Sequence, residues 1–156
     1  MNLDEQTTDI LPERISCLML SLAKEKLLVP VTAVAEVVNT RERVESATAE
    51  GPLYGWIHWR DQKIPLLSLD MLLGGERTAL AVQNDLLILN AIGALAELGF
   101  YAVRMQGLPT PVQIDETSLR GRRGDGLVLA SCEMSGERLL IPDFAALEAA
   151  IAQLVG

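Results

Sequence analysis

Apolar and polar positions alternate in short runs along most of this chain, and compact clusters of turn-forming residues separate the runs. Both features predict β-strands. Ile15 to Leu22 reads as a strand, Ala23–Lys26 as a tight polar turn, and Leu27–Val31 as the return strand. Residues 55–74 give the fullest unit. Ile57 and Trp59 alternate with His58 and Arg60, as in a half-buried strand, and Asp61-Gln62-Lys63 supplies a polar turn. Ile64-Pro65-Leu66-Leu67 resumes the apolar run, with the proline near the strand start, where its missing N–H is tolerated. Ser68 stands as an N-cap ahead of Leu69, Leu72 and Leu73, and Gly74-Gly75 ends that short helix.

Thr32–Val38 fits either one helical turn or a strand, and Asn39–Pro52 reads as a surface loop closed by Gly51-Pro52. Downstream, Leu86–Asn90 and Leu98–Val103 pattern as buried strands around an Ala/Gly-rich connector. Met105–Arg123, with Pro109 and Pro111, reads largely as loop. Gly126–Glu133 and Glu137–Ile141 form a last hairpin. Phe144–Val155, opened by Asp143, is the one helix of ordinary length.

The hairpin-and-helix grammar occurs twice. Glu137–Leu147 lies over Gln62–Leu72 with one identity, Leu147 on Leu72, yet the same order of types: polar, basic, four mostly apolar positions, a capping Ser or Asp, an apolar residue, leucine. The segment from Lys26 to Val37 resembles that from Glu97 to Leu108 more faintly. Either a β-unit is duplicated or two hairpins share a grammar common to β-proteins, and regularly spaced short strands point to barrels or a sandwich.

Composition narrows the function classes. With 156 residues, of which 49% are hydrophobic and few aromatic, the chain can bury ~70% of its unfolded surface around Leu, Val, Ile and Ala. A net charge of −8 argues against nucleic acid, which needs a basic face. The Arg120–Gly126 run reads as a solvated loop, because no phosphate-binding motif accompanies it. Cys17 and Cys132, far apart among apolar residues, read as buried free thiols. One histidine and no clustered ligand motif leave no metal site and no cofactor site. The acidic start Met1–Glu5 is no signal peptide. Glu97 and Asn90 within the apolar stretch Leu86–Val103 make membrane insertion costly, ~2.5–3.5 kcal/mol for the charge alone. The expectation is a soluble, cytoplasmic protein.

Four segments together resemble the CheW-like adaptor domains of bacterial chemosensory systems. Cys17–Val31 looks like that family's opening hairpin, and Val34-Ala35-Glu36-Val37 like its Val-x-Glu-Ile/Val element. Gly55-Trp-Ile-His-Trp-Arg60 stands where the family has Gly-φ-φ-Asn-Leu-Arg-Gly, and Ile64-Pro65-Leu-Leu-Ser68-Leu69 where it has φ-Pro-φ-φ-Asp-Leu. His58, Trp59 and Asp61 depart from the pattern at the hairpin tip. In this the chain is similar to the auxiliary, ChpC-like proteins of pilus (twitching) chemosensory clusters.

The resemblance implies an all-β fold of two SH3-like five-stranded β-barrel subdomains sharing a hydrophobic seam, with short helices and a C-terminal helix. It places a flexible acidic tail at residues 1–12 and the CheW-like domain at residues 13–154. It implies no catalytic residues. It implies instead coupling of a chemoreceptor cytoplasmic tip to the regulatory domain of a CheA-type histidine kinase, at membrane-associated receptor arrays. The receptor-facing positions carried over are Val34, Glu36, Val37, Gly55 and Arg60.

From the residues alone, Arg60 reads either as a binding anchor or as a local salt-bridge partner of Asp61 or Glu36. Val34 and Val37 read as core or contact residues. Gly55 is there for backbone geometry. The tryptophans, at opposite parity, cannot both serve one surface. Two other classes stand beside the adaptor. An SH3-like regulatory or small-ligand module without receptor partners would need a pocket at the seam. An enzyme finds scattered acids and serines without a partnering base.

Overall fold

A computed structural model describes residues 14–115 and 124–156. The expected acidic tail and most of the Arg120–Gly126 run lie outside these residues. Ten strands and two helices follow in chain order: β1 (Arg14–Ser21), β2 (Lys26–Pro30), a 3₁₀ turn (Val31–Ala33), β3 (Val34–Thr40), β4 (Leu53–Trp59), β5 (Gln62–Leu67), α1 (Leu69–Leu72), β6 (Asn84–Asn90), β7 (Phe100–Met105), β8 (Thr110–Asp115), β9 (Val128–Met134), β10 (Glu137–Pro142) and α2 (Phe144–Val155). They form two five-stranded sheets. Sheet I runs β8-β1-β2-β10-β9 and sheet II runs β3-β6-β7-β5-β4.

The two orders are one order. Counting β1–β5 with α1 as a first repeat and β6–β10 with α2 as a second, equivalent strands hold equivalent places. Both sheets contain a single parallel pair, β2 with β10 and β7 with β5. The repeats are interleaved: sheet I takes the first two strands of repeat one and the last three of repeat two, and sheet II takes the complement. Sheet II uses the five consecutive strands from Val34 to Met105, whereas sheet I joins the two ends of the described chain.

Side-chain alternation gives three cores. Tyr54, Ile57, Trp59, Ile64, Leu66, Leu86, Ile88 and Ala102 fill the interior of sheet II. Cys17, Leu28, Ile114, Cys132 and Leu139 fill that of sheet I. The largest cluster lies between them. It joins Leu20, Leu27 and Val29 of sheet I to Leu67, Leu87, Leu89, Tyr101 and Val103 of sheet II, with Leu147 and Ile151 of α2. At ~1.5–3 kcal/mol for each fully buried Val or Leu, this seam makes the two sheets one folding unit. The all-β architecture of two five-stranded halves sharing an apolar seam is the one expected, C-terminal helix included.

Local readings fared unevenly. Ser68 caps α1, its Oγ accepting from the Met71 amide at 3.2 Å, and Asp143 caps α2 through the Ala146 amide at 3.1 Å. Val31–Val38 takes both forms left open, a 3₁₀ turn and then a strand. The turn placed at Asp61-Gln62-Lys63 is shorter and earlier: Gln62 and Lys63 pair with Trp59 and His58, leaving Arg60-Asp61 as the tip. Pro65 therefore lies inside β5, opposite Trp56, and the parallel pairing to β7 begins only at Leu66. Within the stretch read as loop, Thr110–Asp115 is strand β8, paired with β1 along its whole length. Pro109 just before it and Pro111 within it hid it. An edge strand tolerates Pro111, since one side of its backbone needs no ladder.

Candidate functional site

β3 and β4 are the two edges of sheet II, and at one corner their side chains meet. Glu36 of β3 follows a register shift in the β3–β6 pairing. Its Oε1 accepts from Arg60 Nη2 at 3.0 Å and from Trp59 Nε1 at 3.3 Å. The guanidinium carbon lies 4.5 Å from the Trp59 ring centroid. Trp59 is itself buried, edge-on to Phe100 with centroids 4.7 Å apart. One carboxylate thus ties both sheet edges, and one indole supports the arginine from beneath.

The energetics leave this arginine free to do more. The Arg60 and Glu36 side chains are 63% and 36% exposed, and ion pairs of that kind contribute ~0–1 kcal/mol. The cation–π contact adds ~0.5–1 kcal/mol at an exposed site. A guanidinium carries five donors, so the pair with Glu36 orients it without exhausting it. The backbone beneath is costly. Arg60 and Asp61 have φ of 47° and 62°, the left-handed pair that matches strand twist in a two-residue hairpin. Asp tolerates that region, but a long side chain such as Arg does so at ~1–2 kcal/mol. The family pattern's glycine after the arginine has a physical reason in the same angle.

The five candidate residues divide. Glu36 and Arg60 meet at this accessible corner, while Val37, 37% exposed, follows Glu36 on β3 and so lies on the opposite face of the strand. Val34 is half-buried against the seam cluster. Gly55 is buried with φ of 143°, and a Cβ there would sit 2.3 Å from Val44 Cγ1 and 2.7 Å from the Glu45 carbonyl oxygen. Its place is to let the loop cross β4, where Glu45 and Trp56 exchange backbone hydrogen bonds of 2.7 and 2.8 Å.

Two neighbours complete the surface. Glu45 Oε2 lies 3.0 Å from His58 Nε2 and 3.2 Å from Lys63 Nζ. Hydrogen bonding from Lys63, then from His58, holds its carboxyl below the usual range. At the start of β3, a groove of about 230 Å³ is lined by Pro30, Thr32, Ala33, Asn90, Ile92 and Phe144, drawn from both repeats. Asn90 Nδ2 donates to the Thr32 carbonyl at 3.4 Å across its floor. Val31 and Ile92 stand exposed beside it.

Reactive groups are engaged elsewhere. The Ser68 hydroxyl is a helix cap. Cys17 and Cys132 are buried, and burial pushes both thiols up, Cys17 further through its neighbour Cys132. Thiols so placed are weak nucleophiles at neutral pH. Sequence reasoning missed Glu148, a fully buried acid on α2. The signal was present: Phe144, Leu147, Glu148 and Ile151 occupy one apolar stripe at helical spacing, and a carboxylate there needs partners.

The two interleaved five-stranded sheets with one shared seam define the fold class, and the polar corner lies where the edges of sheet II meet. The CheW-like domain family model matches residues 16–151, and the chain belongs to that family. Among solved structures, the chain is similar to the scaffolding protein TtCheW from Thermoanaerobacter tengcongensis, with a TM-score of 0.67 at 18% identity, covering 85% of this chain and 90% of that one. At that identity the likeness establishes the fold. No curated protein matches the chain.

Proposed function

We propose that this chain is a non-enzymatic adaptor that couples chemoreceptors to a CheA-type histidine kinase, in a chemotaxis or type IV pilus (twitching motility) signalling system. It would work in the cytoplasm, recruited to membrane-associated receptor arrays. Among the described residues no helix is long and apolar enough to cross a membrane. The receptor-facing surface is Val34, Glu36, Val37 and Arg60, with Gly55 as the backbone support beneath. It continues from Val34 into the groove beside Ile92, which takes the apolar flank of the receptor's helical tip.

The observation that carries the reading is the strained, indole-supported arginine at the β4–β5 tip. Backbone cost of that kind persists where a side chain must be aimed. Arg60→Glu tests it. Binding to a purified chemoreceptor cytoplasmic fragment should fall at least thirtyfold, since a lost hot-spot arginine costs ~2 kcal/mol or more. Stability in thermal unfolding should fall only by the ~0.5–2 kcal/mol of the exposed ion pair and the cation–π contact, the fold being kept. Equal binding by the variant removes Arg60 from the surface, and a large loss of stability makes it structural.

The groove at the seam also suits the second reading, a small-ligand module. Its volume of about 230 Å³ falls below the ~300–1,000 Å³ of small-molecule sites. A protein side chain fits it better than a free ligand.

A further inference from the structure

Each repeat carries an acid on the helix that follows its last strand, and each acid reaches across the seam to its own repeat's first hairpin. In repeat one, Asp70 Oδ1 accepts from the Ala23 amide of the β1–β2 turn at 2.9 Å. In repeat two, Glu148 Oε1 accepts from the amides of Gly93 at 2.8 Å and Leu95 at 3.1 Å, and Oε2 accepts from Ile92 at 3.1 Å. Glu148 is 0% exposed. Its charge is met by three backbone donors from residues 53 to 56 positions away. The buried Tyr101 hydroxyl lies near enough that burial, and then the Glu148 charge, both raise its pKa.

The anchored loop does something specific. It displays Ile92, 82% exposed, from a backbone whose amides at 92, 93 and 95 all donate to one carboxylate. Ile92 is also a wall of the groove, and so is Phe144, one helical turn before Glu148 on the same face of α2. One helix face supplies both a wall of the groove and the anchor of another wall.

We propose that Glu148 is a positioning residue for partner binding: its carboxylate fixes the loop 91–95 so that Ile92 is presented, with Ala33 and Phe144, to the apolar flank of a receptor's helical tip. This rests on the adaptor reading above. The full chain is compared in three variants, Glu148→Gln, Ile92→Ser and the two combined, with Arg60→Glu as reference. The probe is a purified chemoreceptor cytoplasmic fragment, titrated calorimetrically at a temperature where unfolding curves show every variant folded. In Glu148→Gln one oxygen still accepts two amides, while its NH₂ opposes the Ile92 N–H, so amide exchange at Ile92 should rise first.

Each single variant should weaken binding by tenfold or more. The double variant should lose no more than Ile92→Ser alone, because the two act through one contact, whereas a purely structural Glu148 would add its own loss. Ile92→Ser binding like the native chain, while Arg60→Glu fails to bind, overturns the proposal and leaves the adaptor reading standing. A native chain that does not bind the fragment overturns both. Should Glu148→Gln not fold, Glu148→Asp takes its place in the cycle, and Ile92→Ser decides on its own whether this wall is used.

Discussion

The β4–β5 and β9–β10 hairpins hold equivalent places in the two sheets, and both close on a two-residue left-handed turn. One tip is Ser135-Gly136, with φ of 51° and 79°; the other is Arg60-Asp61, with 47° and 62°. The first has glycine at its second position and only a short serine at its first. The second bears a long cationic side chain where none is favoured, and stacks it on a tryptophan. The interiors follow suit, for β4 of sheet II packs Ile57 and Trp59 where β9 of sheet I packs Cys132 and Met134. Shared topology has left one half as frame and loaded the other for contact.

The comparison can be broken at its core. Trp59→Ala should destabilise by ~3–5 kcal/mol, the range for emptying a large aromatic site. Met134→Ala, at the matching position of β9 and only half-buried, should cost ~1 kcal/mol. Denaturant melts of both would show it, and equal losses would mean that the halves are loaded alike. The two helix acids give the next contrast. Glu148→Ala strands three amides and should cost ~3 kcal/mol or more, at ~1–3 kcal/mol for each buried donor left unpaired. Asp70→Ala loses one exposed hydrogen bond and should cost ~1 kcal/mol or less.

At the tips the expected signs oppose. Asp61→Gly should stabilise by roughly 0.5–1 kcal/mol by relieving its positive φ, and Gly136→Asp should destabilise by a similar amount. Matching thermal shifts of one sign would show that the turns are not equivalent. Smallest is the acid limb of Glu45. Its folded carboxyl is held below its ordinary 4.5, so what it contributes is complete above that value and fades as pH falls through the lower, folded one. Glu45→Gln should flatten stability against pH in that window alone, and His58→Gln should flatten it less, since Lys63 is the stronger partner.

How much of this was legible follows from the range of each interaction. Residues 55–74 could be read because alternation, cap and stop signals are all local to Ile57, Ser68 and Gly74. The tip was misplaced because Gln62 and Lys63 look like turn residues until their pairing with Trp59 and His58 is known. β8 was hidden by Pro109 and Pro111, whose meaning changes at a sheet edge. The interleaving of repeats rests on the pairing of Lys26 with Leu139 and of Leu27 with Leu140, which no local pattern encodes. At the site, Arg60 and Glu36 were named from sequence, Glu36 as one of two salt-bridge partners open to Arg60, and the ion pair between them is present; the support of Trp59 and the joining of two sheet edges are tertiary facts. Glu148 is readable as an anomaly in its apolar stripe, though its three amide partners in the 91–95 loop are not.

Interleaving has a cost in time as well as in connectivity. During synthesis β1 and β2 emerge first, yet the strands that flank them, β8 and β10, come from the far end of the chain. Sheet I must wait with both sides of its opening hairpin unpaired until the ribosome has nearly finished. Contacts so distant in sequence make for slow closure, and a chain stopped short of β10 would expose sticky strand edges rather than leave a working half. Sheet II, whose five strands run consecutively from Val34 to Met105, can pair long before that, so closing sheet I around its opening hairpin is the late step.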